Sequence, residues 1–168
     1  LRIPSVSTDP ERRDDVLRAA QFAADALRSA GMEEVRLIGK EGRHPLVSAE
    51  WLHAPGKPTL LFYGHYDVQP AEPLHEWLSP PFEPTVRNDN VYARGAVDDK
   101  GQVWIQIQAL SQLMAERGAL PVNVRVLLEG EEEVGGEFIE EYVASKPAHL
   151  RADAALVWYI EIFEAGIT

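Results

Sequence analysis

Three short stretches of the chain concentrate side chains able to hold a cation or move a proton. The first is Leu60-Leu61-Phe62-Tyr63-Gly64-His65-Tyr66-Asp67-Val68-Gln69-Pro70, where His65 and Asp67 stand two residues apart. In an extended chain both project to one side, so the carboxylate can accept the second N–H of the imidazole. That contact fixes the tautomer and raises the basicity of the ring as a ligand. Taken alone, His-x-Asp is more often an ordinary surface turn. The second stretch, Ala93-Arg94-Gly95-Ala96-Val97-Asp98-Asp99-Lys100-Gly101, places two aspartates side by side. Asp98 could bridge two cations, whereas capping the following helix is the plainer use for Asp99. Adjacent like charges are costly without a neutralising partner, and Lys100 answers that only in part. The third stretch, Leu128-Glu129-Gly130-Glu131-Glu132-Glu133-Val134-Gly135-Gly136, carries four glutamates. One could be a metal ligand and its neighbour a general base, with spacing leaving open which does what; a flexible acidic loop is the plainer alternative. Each stretch alone is weak, but three in order favour a metal site.

Strands and helices must bring these stretches together. Thr8 or Asp9 before Pro10 is a helix-start signal. Val16, Ala20, Ala23, Ala24 and Leu27 then recur at helical spacing, with Gly31 as the stop. Val35–Ile38, Leu46–Leu52 and Thr59–Tyr63 have strand character, the last two separated by the turn-like Ala54-Pro55-Gly56-Lys57-Pro58. From His65 to about Asn90 no period is visible, and a loop of that length is usually functional or disordered. Val91–Ala93 is a short strand candidate. A second helix is expected over Lys100–Arg117, with Val103, Ile107, Leu110 and Met114 on one face and Gly118 as its stop. Val122–Leu128 is a dense β-branched and apolar run, the pattern of a strand buried on both faces. Glu137–Ser145 is expected to form a short helix ending near Pro147, and Ala154–Trp158 a last strand. This alternation implies an α/β sandwich with a largely parallel sheet. All three acidic stretches then fall at strand ends or a helix start, where open α/β sheets build their sites.

Composition narrows the chemistry. The 168 residues include 45% hydrophobic and 26% charged, the profile of a soluble globular domain, and no apolar run is long enough to span a bilayer. There are no cysteines, so any metal must be held by His, Asp and Glu. The formal charge of -11 argues against nucleic-acid or anionic-membrane partners. A reduced, cytoplasmic setting is the default expectation. The chain opens at Leu1 without an initiator Met and stops at Thr168 just after an apolar run, which suggests a fragment.

The segments "GHYDVQP", "ARGAVDDKG" and "LLEGEEEVGG" resemble, in order and spacing, the zinc peptidase family of carboxypeptidase G2, aminoacylase-1, succinyl-diaminopimelate desuccinylase and carnosinase-type dipeptidases. "WLSPPFEP" from Trp77 and "VYARGAVDDKG" look closest to the dipeptidase branch, and the likeness runs from "RIPSVS" at Arg2 through nearly the whole chain. The resemblance implies a three-layer sandwich, here incomplete, with residues 1–168 forming the N-terminal part of a catalytic domain and the lid domain absent. It implies zinc, two ions per complete site, with cobalt or manganese as alternatives. His65 would be a ligand to one metal, Asp98 would bridge both, and Glu133 would hold the second. Asp67 would orient His65, Glu132 would be the general base, Glu131 a bystander, and the Asp98–Asp99 peptide would be cis. The substrate would be a dipeptide or an N-acyl amino acid, and full-length relatives would be homodimers formed through the lid.

The pattern departs from the family at one position. A further carboxylate ligand is expected directly after the apolar run Ala154–Trp158, where this chain has Tyr159; Glu161 follows two residues later. Asp153 is a turn residue by position, and the family's last His ligand comes from far downstream. Of the other histidines, His44 and His53 are expected to be solvated beside a strand and His149 to lie on the surface, with His75 a weak candidate for substrate contact. The expected function is hydrolysis of an amide bond, most favourably in a dipeptide, by a two-zinc-activated water, with this chain alone inactive or nearly so. A deacylase of N-acyl amino acids, or a non-catalytic remnant serving as an interaction module, is the alternative.

Overall fold

The computed structural model describes residues 1–145 and 150–157. Trp158, Tyr159 and Glu161, and with them Pro147 and His149, lie outside the described residues. Asp9 starts the first helical segment, its side chain accepting the Glu11 N–H at 2.9 Å above a single 3-10 turn, Pro10–Arg12. α1 follows as Arg13–Ser29 and buries Val16, Ala19, Ala20, Ala23, Ala24 and Leu27, a stripe at helical spacing. The alanines keep that stripe slim, so the helix lies close on the sheet. α2 spans Lys100–Arg117 and ends at Gly118, whose φ of 67° suits a residue without a Cβ. α3 spans Glu137–Ser145.

The strands β1 (Glu33–Ile38), β2 (Leu46–Trp51), β3 (Thr59–His65), β6 (Asn123–Glu129) and β7 (Ala154–Val157) form one sheet in the order β1-β2-β6-β3-β7. β6 pairs with β3 in parallel, as does β7, whereas β1–β2 and β2–β6 are antiparallel. The sheet is therefore mixed: the expected parallel arrangement holds for β6, β3 and β7, and the β1–β2 and β2–β6 pairings depart from it. The cause is connection length. β1 and β2 are joined by a short turn, which can link only antiparallel neighbours, while β3 reaches β6 through α2, the crossover a parallel pair requires. β6 also inserts between β2 and β3, which are consecutive in sequence.

β6 is covered on both faces. Val124, Val126 and Leu128 face the layer of α1 and α2, packing with Val47, Ala49, Trp51, Val103, Ile107 and Leu110. Leu127 turns the other way and meets Leu46 and Phe138 of α3. This gives three layers, α1/α2, sheet and α3, with β7 exposed along its length. The stretch from His65 to Asn90 is better ordered than its sequence suggests. Val68 bridges to Val6, Leu74–Glu76 forms a 3-10 turn, and β4 (Thr85–Arg87) pairs with β5 (Asn90–Tyr92). Asn88 and Asp89 turn that hairpin with φ of 49° and 62°, values that Asn and Asp tolerate better than most residues. No helix among the described residues is long and apolar enough to cross a membrane.

Candidate metal centre

The parallel pair β3–β6 ends with His65 opposite Glu129, so the first and third acidic stretches leave the sheet side by side at its carboxyl edge. His65 is the last residue of β3 and is buried. Beyond it the chain is pinned by backbone bonds: Tyr66 N–H donates to Glu129 O at 2.9 Å and Val68 N–H to Ser5 O at 3.0 Å. Ser5 Oγ donates in turn to Tyr66 O at 2.6 Å. Asp67 is thereby fully buried beneath the imidazole. Its Oδ1 lies 3.3 Å from His65 Nδ1, and Oδ2 accepts the Glu133 N–H at 3.2 Å.

The other imidazole nitrogen faces outward. His65 Nε2 is 2.9 Å from Asp98 Oδ1 and 3.9 Å from Glu132 Oε2. Glu132 and Glu133 sit on a 3-10 turn, Glu132–Val134, closed by Gly135 at φ 101°. Among the described residues, His65, Glu132 and Glu133 form a group whose ligand atoms all lie within 4.8 Å of one another. Asp98 joins this group through His65 and stands outside the set itself. The Asp98–Asp99 peptide is cis. Asp99 is not the helix cap that its position suggests: it makes no side-chain bond to the start of α2, and its Oδ2 accepts the His65 N–H at 3.0 Å. Gly64 makes room for it, since a Cβ there would come 2.6 Å from Asp99 Oδ2.

Several carboxylates thus surround one imidazole, and the titration behaviour follows. Burial disfavours the charged His65 ring, but the hydrogen bond and charge of Asp67, followed by Asp99 and Glu132, outweigh it and push the ring up to about 9. Burial raises Asp99 to about 6 against the opposing bond from His65. It also raises Glu133, partly offset by a hydrogen bond from Gln69.

Sequence reasoning gave no role to three residues that shape the site. Glu129 is 2% exposed, accepts a hydrogen bond from Tyr63, and is pushed by burial up to about 7. Its place directly after the apolar run of β6 was the available signal. Glu131, expected as a bystander to the chemistry, is buried and accepts the His44 N–H at 2.9 Å. That bond leaves His44 half-buried rather than solvated. Arg94 fastens the long loop to the strand leading toward Asp98. Its N–H donates to Pro81 O at 2.7 Å, one guanidinium nitrogen donates to Pro70 O at 2.8 Å, and the group lies over the Trp77 ring. His75 and His53 are exposed, the latter 2.7 Å from Glu33. Asp153 accepts the Thr59 N–H at 2.7 Å in the turn before β7.

Comparison with known proteins shows the family. The chain belongs to peptidase family M20/M25/M40, which matches residues 61–165. It is 39% identical over 154 residues to a beta-Ala-His dipeptidase of Mus musculus, covering 86% of this chain and 31% of that protein. It is 37% identical to a Cys-Gly metallodipeptidase of Candida albicans, covering 87% and 33%. A solved di-peptidase from Saccharomyces cerevisiae superposes with a TM-score of 0.84 at 27% identity, covering 92% of this chain and 35% of that one. The chain therefore spans about a third of the length of the relatives it matches.

Proposed function

We propose that this chain carries part of the zinc centre of a metal-dependent dipeptidase. The observation that carries the reading is the convergence of His65, Glu132 and Glu133 within 4.8 Å, with Asp98 on the same imidazole nitrogen. A divalent cation suits this donor set. It consists of nitrogen and oxygen atoms, it is strongly anionic, and among the described residues no Lys or Arg forms an ion pair with Asp67, Asp98, Glu132 or Glu133. Asp67 Oδ1 is buried 3.3 Å from His65 Nδ1, a contact longer than an ordinary hydrogen bond.

In the proposed site His65, Asp98 and Glu133 hold the metal, with two ions in the complete centre and cobalt or manganese as substitutes for zinc. Such ions supply a Lewis acid for an amide carbonyl and lower the pKa of water bound to them from 15.7 to about 7. Asp67 keeps the proton of His65 on Nδ1, leaving Nε2 free as a donor. Glu132 stands at the open side and is the base: its carboxylate takes a proton from water and passes it to the departing amine. The dipeptidase names of the relatives favour a dipeptide over an N-acyl amino acid as substrate.

Zinc titration calorimetry on the chain, beside His65→Ala and Glu133→Ala, tests the reading without requiring turnover. Binding that both substitutions weaken supports it. Absence of binding, or binding indifferent to both changes, favours a non-catalytic module.

A further inference from the structure

Asp99 occupies the residue before α2, where aspartate ordinarily caps its own helix by accepting an N–H from the first turn. It makes no such bond. Its Oδ2 accepts the N–H of His65, on another element and 34 residues away. The carboxylate is buried at 5% exposure, and its Oδ1 has no hydrogen-bond partner. A half-satisfied buried carboxylate is costly, and Ser or Asn would start the helix without that cost. The surroundings are shaped to hold it. A Cβ on Gly64 would meet Asp99 Oδ2 at 2.6 Å and Val103 Cγ2 at 2.7 Å, so the space under His65 exists only because residue 64 has no side chain. The Asp99 carbonyl also accepts the Val103 N–H at 2.9 Å, which anchors the residue to α2.

We propose that Asp99 is a positioning residue for the metal centre, locking the backbone at His65 to the start of α2 so that the imidazole and Asp98 are presented together. It touches neither metal nor substrate and acts through His65 and its neighbour Asp98, whose side chains meet at 2.9 Å. The inference rests on the metal-centre reading for its purpose, while the lock itself can be examined without metal.

Three variants of residue 99 separate a lock from a cap. Asp99→Ser installs a good helix cap but is too short to reach His65. Asp99→Asn keeps an oxygen for the His65 N–H, and Asp99→Ala keeps neither. In the metal-free chain, amide exchange at His65 is expected to quicken at least about tenfold in Asp99→Ser and Asp99→Ala, with exchange at Leu127 and Leu128 of β6 unchanged. Asp99→Asn should stay near wild type. Zinc affinity should fall about 10- to 100-fold in Asp99→Ser and recover in Asp99→Asn, and the visible spectrum of the cobalt-loaded chain should shift in the first and not in the second. His65 exchange that is unchanged in Asp99→Ser, or that moves together with all of β6, overturns the proposal; so does zinc affinity equal to wild type in a folded Asp99→Ser. Should Asp99→Ser fail to fold, Asp99→Asn decides, since fast His65 exchange in that variant also overturns the lock. A wild-type chain that binds no zinc refutes the metal-centre reading, and the exchange measurement still judges the lock.

Discussion

The carboxylates at the sheet edge fall into two groups that differ in depth. Asp67, Asp99 and Glu129 are shut away at 0%, 5% and 2% exposure. Asp98 and Glu132 keep 38% and 47% of their side chains open. The deep group holds the framework: Asp67 accepts the Glu133 N–H, Asp99 the His65 N–H and Glu129 the Tyr63 hydroxyl. The shallow group meets the outward nitrogen of His65 and faces solvent, where a ligand could arrive. Burial pushes Asp99 and Glu129 up to about 6 and about 7, so these two carboxylates are costly to keep charged. Residue type is the same in both groups. Depth, set by which neighbours surround the strand end, separates framework from candidate chemistry.

The sharpest way to test this division is to compare Glu132 with its half-buried neighbour Glu133. In the proposed reading Glu133 is a ligand and Glu132 a base, yet both fall within the same 4.8 Å group. Glu133→Gln is expected to weaken zinc binding by about 100-fold, and Glu132→Gln by no more than about threefold, because a base need not hold the ion. Titration calorimetry on both variants reads this directly. Equal losses would make Glu132 a ligand and leave the site without an assigned base.

The deep half should answer in stability instead. Gly130 sits against Tyr66, and a Cβ there would come 2.5 Å from the ring carbon Cζ and 2.5 Å from the hydroxyl oxygen. Tyr66 cannot swing aside readily, being 2% exposed with its hydroxyl donating to Pro45 O. Gly130→Ala is expected to destabilise the metal-free chain by about 1–3 kcal/mol, read as a lower urea midpoint at unchanged slope. An unchanged midpoint would show that the deep half is looser than its packing implies.

The bounds of α2 and α3 were legible because apolar spacing, Gly118 and the flanking turn residues act locally. The burial of β6 was legible as an unbroken β-branched and apolar run. The three acidic stretches were legible as strand-end and helix-start clusters. Depth was not, because it depends on register and on distant segments: the pairing of His65 with Glu129, and Ser5 closing over Tyr66, cannot be seen from either stretch alone. That is why the sequence assigns Glu129 no role and offers a helix cap as the plainer use for Asp99. The antiparallel β1–β2 pair escaped because two strand patterns say nothing of direction without their connection. β4 escaped because three residues carry almost no period.

His65 joins the two halves and makes their balance depend on pH. Its folded value of about 9 stands above the ordinary 6.5, so the folded chain binds that proton more tightly than the unfolded chain does. The resulting stability is fully present below about 6.5 and is lost as pH rises through about 9. In metal-free protein the urea midpoint should fall across that window, and His65→Gln should flatten the fall. Zinc must displace the same proton, so its affinity should climb about tenfold per pH unit below about 9 and then level off. Affinity that stays flat from about pH 6 to 8 would mean that His65 is already neutral or is no ligand.

The smallest effect tests whether depth alone is enough to make a carboxylate part of the centre. Glu131 is as buried as Asp99, at 5% exposure, but its partners are His44 and Arg43. Its Oε1 accepts the His44 N–H at 2.9 Å, and Oε2 lies 3.7 Å from Arg43. Glu131→Gln preserves an oxygen for His44 and removes only the charge toward Arg43. The expected cost is within about 1 kcal/mol of stability, with zinc affinity unchanged to within about twofold. A larger loss of affinity would show that the acidic turn acts as one electrostatic unit, and the division between framework and chemistry would then have to be drawn by distance from His65 instead of by burial.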